Sequence, residues 1–199
     1  ELGFDLVVHS ATKFIGGHSD LIAGLAVVRD AGLGRRLRQV QNAVGAILGP
    51  QDSWLALRGL KTLDVRLRRQ QESAGALAHW LQSRPEVSTV YYPGLEGHPG
   101  RDLHFRQANG AGAVVSFELA SKALAVAMMK NVKIPLVAVS LGGVESILSY
   151  PATMSHAAMP PAERAARGIT DSLVRLSVGL EAVADLQADL EQALTRADG

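Results

Sequence analysis

The run Asp5-Leu-Val-Val-His-Ser-Ala-Thr-Lys-Phe-Ile-Gly-Gly-His-Ser19 sets one lysine, Lys13, just after an apolar stretch. Hydroxyls precede it at Ser10 and Thr12, and a glycine pair follows at Gly16 and Gly17. A lysine held among apolar neighbours has its ammonium form penalised, and the free amine is a nucleophile toward carbonyls. Hydroxyls near a tight turn, beside backbone N–H groups that glycine leaves open, are natural ligands for a phosphate. These are the parts of a site for a phosphorylated aldehyde. Spacing alone equally allows a snorkelling lysine beside an ordinary turn. A second candidate is Arg175, inside the apolar run Leu173 to Val178. Its guanidinium is never neutralised, so it needs a partner, and its flat fork suits a bidentate carboxylate. A structural ion pair with Asp171 or Glu181 is the other reading.

The elements that must position these groups follow from periodicity. Phe4 to Val8 reads as a buried, parallel-type strand and Leu21 to Val28 as a second strand. The basic segment Arg35 to Leu48 reads as a helix closed by Gly49-Pro50. From Asp52 leucines recur at helical spacing for about 30 residues, with Asp52 or Ser53 as N-cap and Pro85 beyond the far end. Such a length predicts a rod between two domains or a break near Gly75. Strands are expected at Val87 to Tyr92, Ala113 to Leu119, Ile134 to Val139, Ser146 to Leu148 and Leu173 to Val178. Helices are expected at Ser121 to Met129 and Glu181 to Arg196, with Gly94 to Gly112 a His- and Gly-rich loop. Strands interleaved with helices make an α/β or α+β chain.

Composition narrows the functions. Twenty Lys plus Arg against 19 Asp plus Glu, net charge +1, give no polybasic surface for nucleic acid. The arginines at 35 to 38 and 58 to 69 alternate with leucines as solvated helix faces or subunit contacts. Trp54 and Trp80 read as core or interface anchors. The absence of cysteine removes disulfides, thiolate catalysis and Cys-based metal sites. His98, Asp102 and His104 lack a tight ligand spacing, so no metal site is expected, and His156 reads as a packed loop residue. No signal peptide is legible around Leu6 to Val8, and Leu21 to Val28 is far short of the roughly 20 residues of a membrane helix. A soluble, cytoplasmic protein without membrane partners is expected. Glu1 opens on a strand already in progress, which reads as the cut edge of a longer chain.

The lysine segment resembles the signature of the pyridoxal-phosphate enzymes of cysteine and methionine metabolism, the trans-sulfuration enzymes. Asp5, Leu6, Ser10, Ala11, Thr12, Lys13, Phe14, Ile15, Gly17, His18 and Ser19 each meet a required position. Trp54 to Leu63 looks like the family's interdomain helix, Ser140 to Ser146 like its substrate-side loop, and Arg175 to Glu181 like its carboxylate-binding strand. The resemblance implies pyridoxal 5'-phosphate as cofactor and Lys13 as the catalytic, Schiff-base lysine. It implies Ser10 and Thr12 as phosphate ligands, and Ser140 and Arg175 as the groups holding the substrate α-carboxylate. It also implies the aspartate aminotransferase-like fold type I of PLP-dependent transferases. Residues 1–50 would end the large cofactor domain, 51–84 form the long interdomain helix, and 85–199 form an α+β C-terminal domain, in a homotetramer.

Residues 139 to 159 look most like the bacterial β-lyases of the family, and Val139 stands where γ-acting members typically carry Glu. The implied reaction is β-elimination of cystathionine to homocysteine, pyruvate and ammonia in methionine biosynthesis. The alternatives are cystathionine γ-synthase, joining an O-acyl-homoserine to cysteine, or another γ-acting member. A non-enzyme reading also stands: the ring-stacking aromatic, the Asp for the pyridinium nitrogen and the Gly-rich phosphate loop are not in this sequence, so the isolated piece is expected to be inactive.

Overall fold

The computed structural model describes residues 2–195, which divide into two compact units, the first ending at Asp64 and the second beginning at Val65. In the first unit, β1 (Leu6–Ser10) pairs with β2 (Gly24–Val28) in register from Leu6↔Val28 to Ser10↔Gly24. The pairing is antiparallel, and both strands are largely exposed within this chain, against the expectation of a buried parallel strand. An apolar run signals burial without saying in which direction its neighbour runs. A single π-helical turn, Ala11–Ile15, leaves β1, and the Ala11 and Thr12 amides both donate to Ala23 O, at 2.8 and 3.2 Å. The small core here is Ala11, Leu21 and Ala23, with Ile15, Leu48, Leu55 and Ala56 against it.

Helix α1 (Ala31–Val44) starts four residues before the basic run, because Asp30 Oδ1 caps it by accepting from Leu33 N at 2.6 Å. Gly45, at φ +69°, ends it in the left-handed conformation that glycine adopts without penalty. The long helical stretch is two helices, α2 (Pro50–Leu60) and α3 (Leu63–Gln82). Gly49 is the N-cap of α2 and Pro50 occupies the first turn, so neither Asp52 nor Ser53 caps it. The interruption falls at Lys61 and Thr62, and α3 runs unbroken through Gly75. Thr62 takes Gly59 O with both its amide and its hydroxyl, each at 3.2 Å, diverting the carbonyl that would have continued the helix.

The second unit has a five-stranded sheet of order β3-β4-β7-β6-β5: β3 (Val87–Tyr91), β4 (Val114–Leu119), β5 (Leu136–Val137), β6 (Ile147–Ser149) and β7 (Leu173–Ser177). All neighbours are antiparallel except β5 and β6. Alternation decides its faces. Val115, Phe117 and Leu119 of β4 and Val174, Leu176 and Val178 on and after β7 enter a core with Leu77 and Leu81 of α3. Leu124, Ala125 and Met128 of α5 (Lys122–Asn131) and Leu186, Leu190 and Leu194 of α7 (Val183–Thr195) complete it. Each fully buried leucine stabilises by about 1.5–3 kcal/mol, so this helix-covered face is the main source of stability of the unit. Burial also pushes the Tyr92 phenol up to about 12, and its hydroxyl donates to Gly112 O at 2.9 Å.

The stretch Gly94 to Gly112 is not a continuous loop: α4 (Arg101–Gln107) lies within it. The glycines at both ends hide a seven-residue helix, closed by His104 Nε2 donating to Gly110 O at 2.8 Å. A short α6 (Pro161–Ala166) precedes β7. The periodicity carries the closing helix to Arg196, a position that lies outside the described residues. No described helix is long and apolar enough to cross a membrane.

Backbone packing in the first unit yields a sharp test. A Cβ on buried Gly59 of α2 would collide with the carbonyl of Gly16, which belongs to the loop following Lys13. Gly59→Ala is therefore expected to lower the thermal midpoint and to displace that loop, whereas Gly75→Ala, with open space around it, is expected to be neutral or stabilising. Paired thermal melts of the two variants check this.

Candidate functional site

Lys13 sits inside the π-helical turn with φ −95° and ψ −134°, a departure from helical angles that redirects the chain at this residue. Its side chain is half-buried, and its carbonyl accepts from Gly17 N at 2.8 Å. Gly17 needs its φ of +72°, and His18 Nδ1 donates to Gly16 O at 2.7 Å, so the glycine pair is fixed from both sides. Ser10 ends β1 beside Gly24, and its exposed hydroxyl has no partner among the described residues. Thr12 is differently placed. Its Oγ1 accepts from Ala23 N at 3.0 Å and donates to Ala23 O over a long 3.3 Å. Thr12 therefore first locks the turn to the strand after it, and serves an anion only by giving up the longer bond.

The other two predicted site residues lie in the second unit, and the structure brings them together. Arg175, on the sheet face away from the helices, donates from Nη2 to Ser140 O at 2.6 Å and to Ser149 Oγ at 3.1 Å. Neither Asp171 nor Glu181 pairs with it. Asp171 binds Lys122 at 3.0 Å and Arg164 at 2.6 Å, and the hydrogen bond from Lys122 is the first cause holding its carboxyl below the usual range. Glu181 accepts from Ser146, from N at 2.7 Å and from Oγ at 2.8 Å. Arg175 is left with a buried Nε that donates to nothing and with no carboxylate among the described residues. Burial alone lowers its pKa from the ordinary guanidinium value, with no anion to offset the desolvation.

Ser140 has φ +89°, rare for a residue with a Cβ and costing about 1–3 kcal/mol. Such strain persists where neighbours over-determine it, and the loop after Ser140 is fastened at nearly every residue. Gly142 N donates to Ser177 Oγ at 2.9 Å, Gln70 Nε2 to Gly143 O at 2.7 Å, and Leu180 N to Val144 O at 2.7 Å. A fastened loop, a strained serine and a desolvated arginine with no carboxylate partner among the described residues make an arrangement that could receive an anion, and the planar fork is of the shape that suits a carboxylate.

Four contributors escape a reading of the sequence alone. Ser149 and Ser177 matter only through strand register: Ser149 opposes Arg175, which in turn opposes Ser116. Glu181 is legible as a charge, but its use on Ser146 is not. Gln70 leaves a signal: it is a polar residue on the stripe of α3 that buries Ser73, Ala74, Leu77 and Leu81. His98, Asp102 and His104 gather no metal site, and no group of His, Asp or Glu able to hold one occurs among the described residues.

Comparison with known proteins shows the family of the chain. The family of Cys/Met metabolism PLP-dependent enzymes matches residues 1–195. Cystathionine beta-lyase MetC of Bacillus subtilis (strain 168) is 60% identical over 194 residues, covering 98% of this chain and 50% of that protein. Cystathionine gamma-lyase of the same organism is 48% identical over 193 residues, covering 97% and 51%. The crystal structure of cystathionine gamma synthase from Xanthomonas oryzae pv. oryzae, in complex with aminoacrylate and cysteine, matches with a TM-score of 0.95 at 49% identity, covering 98% of this chain and 51% of that one. The chain thus spans about half the length of the relatives it matches, and its α/β architecture is that of fold type I. It belongs to the Cys/Met metabolism PLP-dependent enzymes, the trans-sulfuration family whose cofactor is pyridoxal 5'-phosphate.

Proposed function

We propose that this chain supplies the cofactor-bearing lysine and the substrate-carboxylate clamp of a cystathionine β-lyase, a carbon–sulfur lyase that converts cystathionine and water to homocysteine, pyruvate and ammonia. The observation that carries the reading is Arg175: half-buried, held by Ser140 O and Ser149 Oγ, with an orphaned Nε and no carboxylate partner among the described residues. An arginine kept in that state favours folding little; its use is to receive a carboxylate from outside. Residues 1–50 would then close the cofactor domain, 51–84 link it onward, and 85–199 carry the substrate side.

The residues fit the cofactor. Lys13 offers an amine to an aldehyde, and Ser10 offers a phosphate oxygen a hydroxyl that has no competing partner among the described residues. When bound, pyridoxal phosphate supplies the electron sink for charge developing at the substrate Cα. Lys13 Nζ takes the Cα proton. Arg175, with Ser140, fixes the carboxylate and so sets which Cα bond is broken. Val139 beside Ser140 is 60% exposed and brings no carboxylate for a second proton transfer at Cβ. This favours loss of a group from Cβ over chemistry at Cγ.

The holoenzyme containing this chain, given cystathionine, is expected to release homocysteine and pyruvate in equal amounts. Cysteine with 2-oxobutyrate would make it a γ-lyase, and cystathionine formed from cysteine and an O-acyl-homoserine would make it a γ-synthase. Either result overturns the β-lyase reading.

A further inference from the structure

We infer that Gln70 is a positioning residue for the substrate carboxylate, acting through the loop that carries Ser140; the inference rests on the clamp role proposed for Arg175 and Ser140. Ser140 is held at φ +89° by the anchoring of residues 142 to 146, just beyond it in the chain. Most fasteners come from the strand it faces and the residues just after that strand: Ser177 to Gly142, Leu180 to Val144, Glu181 to Ser146. One comes from a different element. Gln70, on α3 and fully buried, reaches across 73 residues of sequence to donate from Nε2 to Gly143 O at 2.7 Å.

Gln70 is a poor choice for stability alone. Its Oε1 is buried and accepts from nothing, and the Oγ of Ser73 on the same helix face is likewise without a partner, where leucine and alanine otherwise fill the stripe. A methionine of similar volume would fit that environment better. What only glutamine supplies there is a donor for the Gly143 carbonyl, three residues beyond Ser140. Without it the Gly142-Gly143 turn loses a restraint that its own side chains, being absent, do not replace. Ser140 O, to which Arg175 Nη2 is bonded, is then free to relax, and the guanidinium with it. The lesion would fall on carboxylate placement and leave Lys13 untouched.

The test compares Gln70→Met and Gln70→Ala in the holoenzyme containing this chain. KM for cystathionine is expected to rise about tenfold, the scale of one lost positioning hydrogen bond. kcat is expected to change less than about threefold, with cofactor content unchanged and the thermal midpoint of Gln70→Met equal or higher. The inhibition constant of a carboxylate-bearing substrate analogue should weaken in parallel, while that of the matching amine without a carboxylate should not move. Unchanged KM in both variants, or equal weakening of both analogues, overturns the inference. Arg175→Lys serves as the reference. If it too leaves the carboxylate analogue unaffected, the clamp reading itself has failed; if it weakens that analogue and Gln70→Met does not, only the role of Gln70 is lost.

Discussion

Arg175→Met is expected to lower kcat/KM of the holoenzyme for cystathionine by about 10³, mostly through KM, while its thermal midpoint stays level or rises. The two halves of this result have one cause. Removing one side of a buried, hydrogen-bonded charge pair costs about 2–5 kcal/mol, or roughly 30- to several-thousand-fold. In the proposed substrate complex the pair would be Arg175 with a carboxylate. In the chain without substrate that pair does not exist: burial depresses the guanidinium, and no carboxylate among the described residues offsets it. Replacing a half-buried charge that has no carboxylate partner among the described residues by a flexible apolar side chain relieves a penalty. Ser149 keeps its bond to Ala138 O at 2.7 Å, so the tie between the end of β6 and the residue after β5 survives. Arg175→Lys retains charge but not the two-pronged fork, and is expected to recover only part of the lost affinity. Steady-state kinetics and thermal melts on the same preparations separate this from a structural arginine, whose loss would lower the midpoint and leave KM alone.

Lys13→Ala is expected to abolish turnover by about 10⁴ or more, without a matching rise in KM. In the proposed function Lys13 serves as the base at Cα as well as the cofactor's covalent holder, and its loop offers no neighbouring group to replace it. Ser10 and Thr12 carry hydroxyls too weakly basic for the task, and His18 is turned to Gly16 O through Nδ1. The turn should survive the change, since Ala11 N, Thr12 N and Thr12 Oγ1 hold Ala23 independently of the lysine side chain. A variant that keeps its fold and substrate affinity but not its turnover is the expected outcome. Lys13→Arg keeps a cation without a nucleophilic amine and should be equally inactive, which distinguishes chemistry from charge.

These residues differ in how legible they are in the sequence. Lys13, its hydroxyls and its glycine pair are contiguous, so one stretch of sequence displays them all. Arg175 is visible as a charge inside an apolar alternation. Ser140 is legible only by resemblance, because what marks it physically is a positive φ, and a serine does not announce that. Ser149 and Gln70 reach the site through strand register and a contact spanning 73 residues, neither encoded near either partner. The division of the helical stretch is obscured for a related reason. Leucines keep their spacing through Leu60 and Leu63, while the interruption depends on Thr62 capturing Gly59 O, and isolated Gly75 draws attention to the wrong turn. Direction in β1 and β2 is likewise beyond an apolar run, whereas the alternation in β7 is legible and sets Leu176 on the core face and Arg175 on the other.

The most direct test of the account is the position of the cofactor's covalent bond. The chain contains five lysines, Lys13, Lys61, Lys122, Lys130 and Lys133, and only Lys13 lies in the turn between β1 and β2. Borohydride reduction of the holoenzyme, followed by digestion and mass mapping, is expected to place a pyridoxyl-phosphate adduct on the peptide containing Lys13. An unmodified Lys13 with the adduct on another lysine would contradict the account.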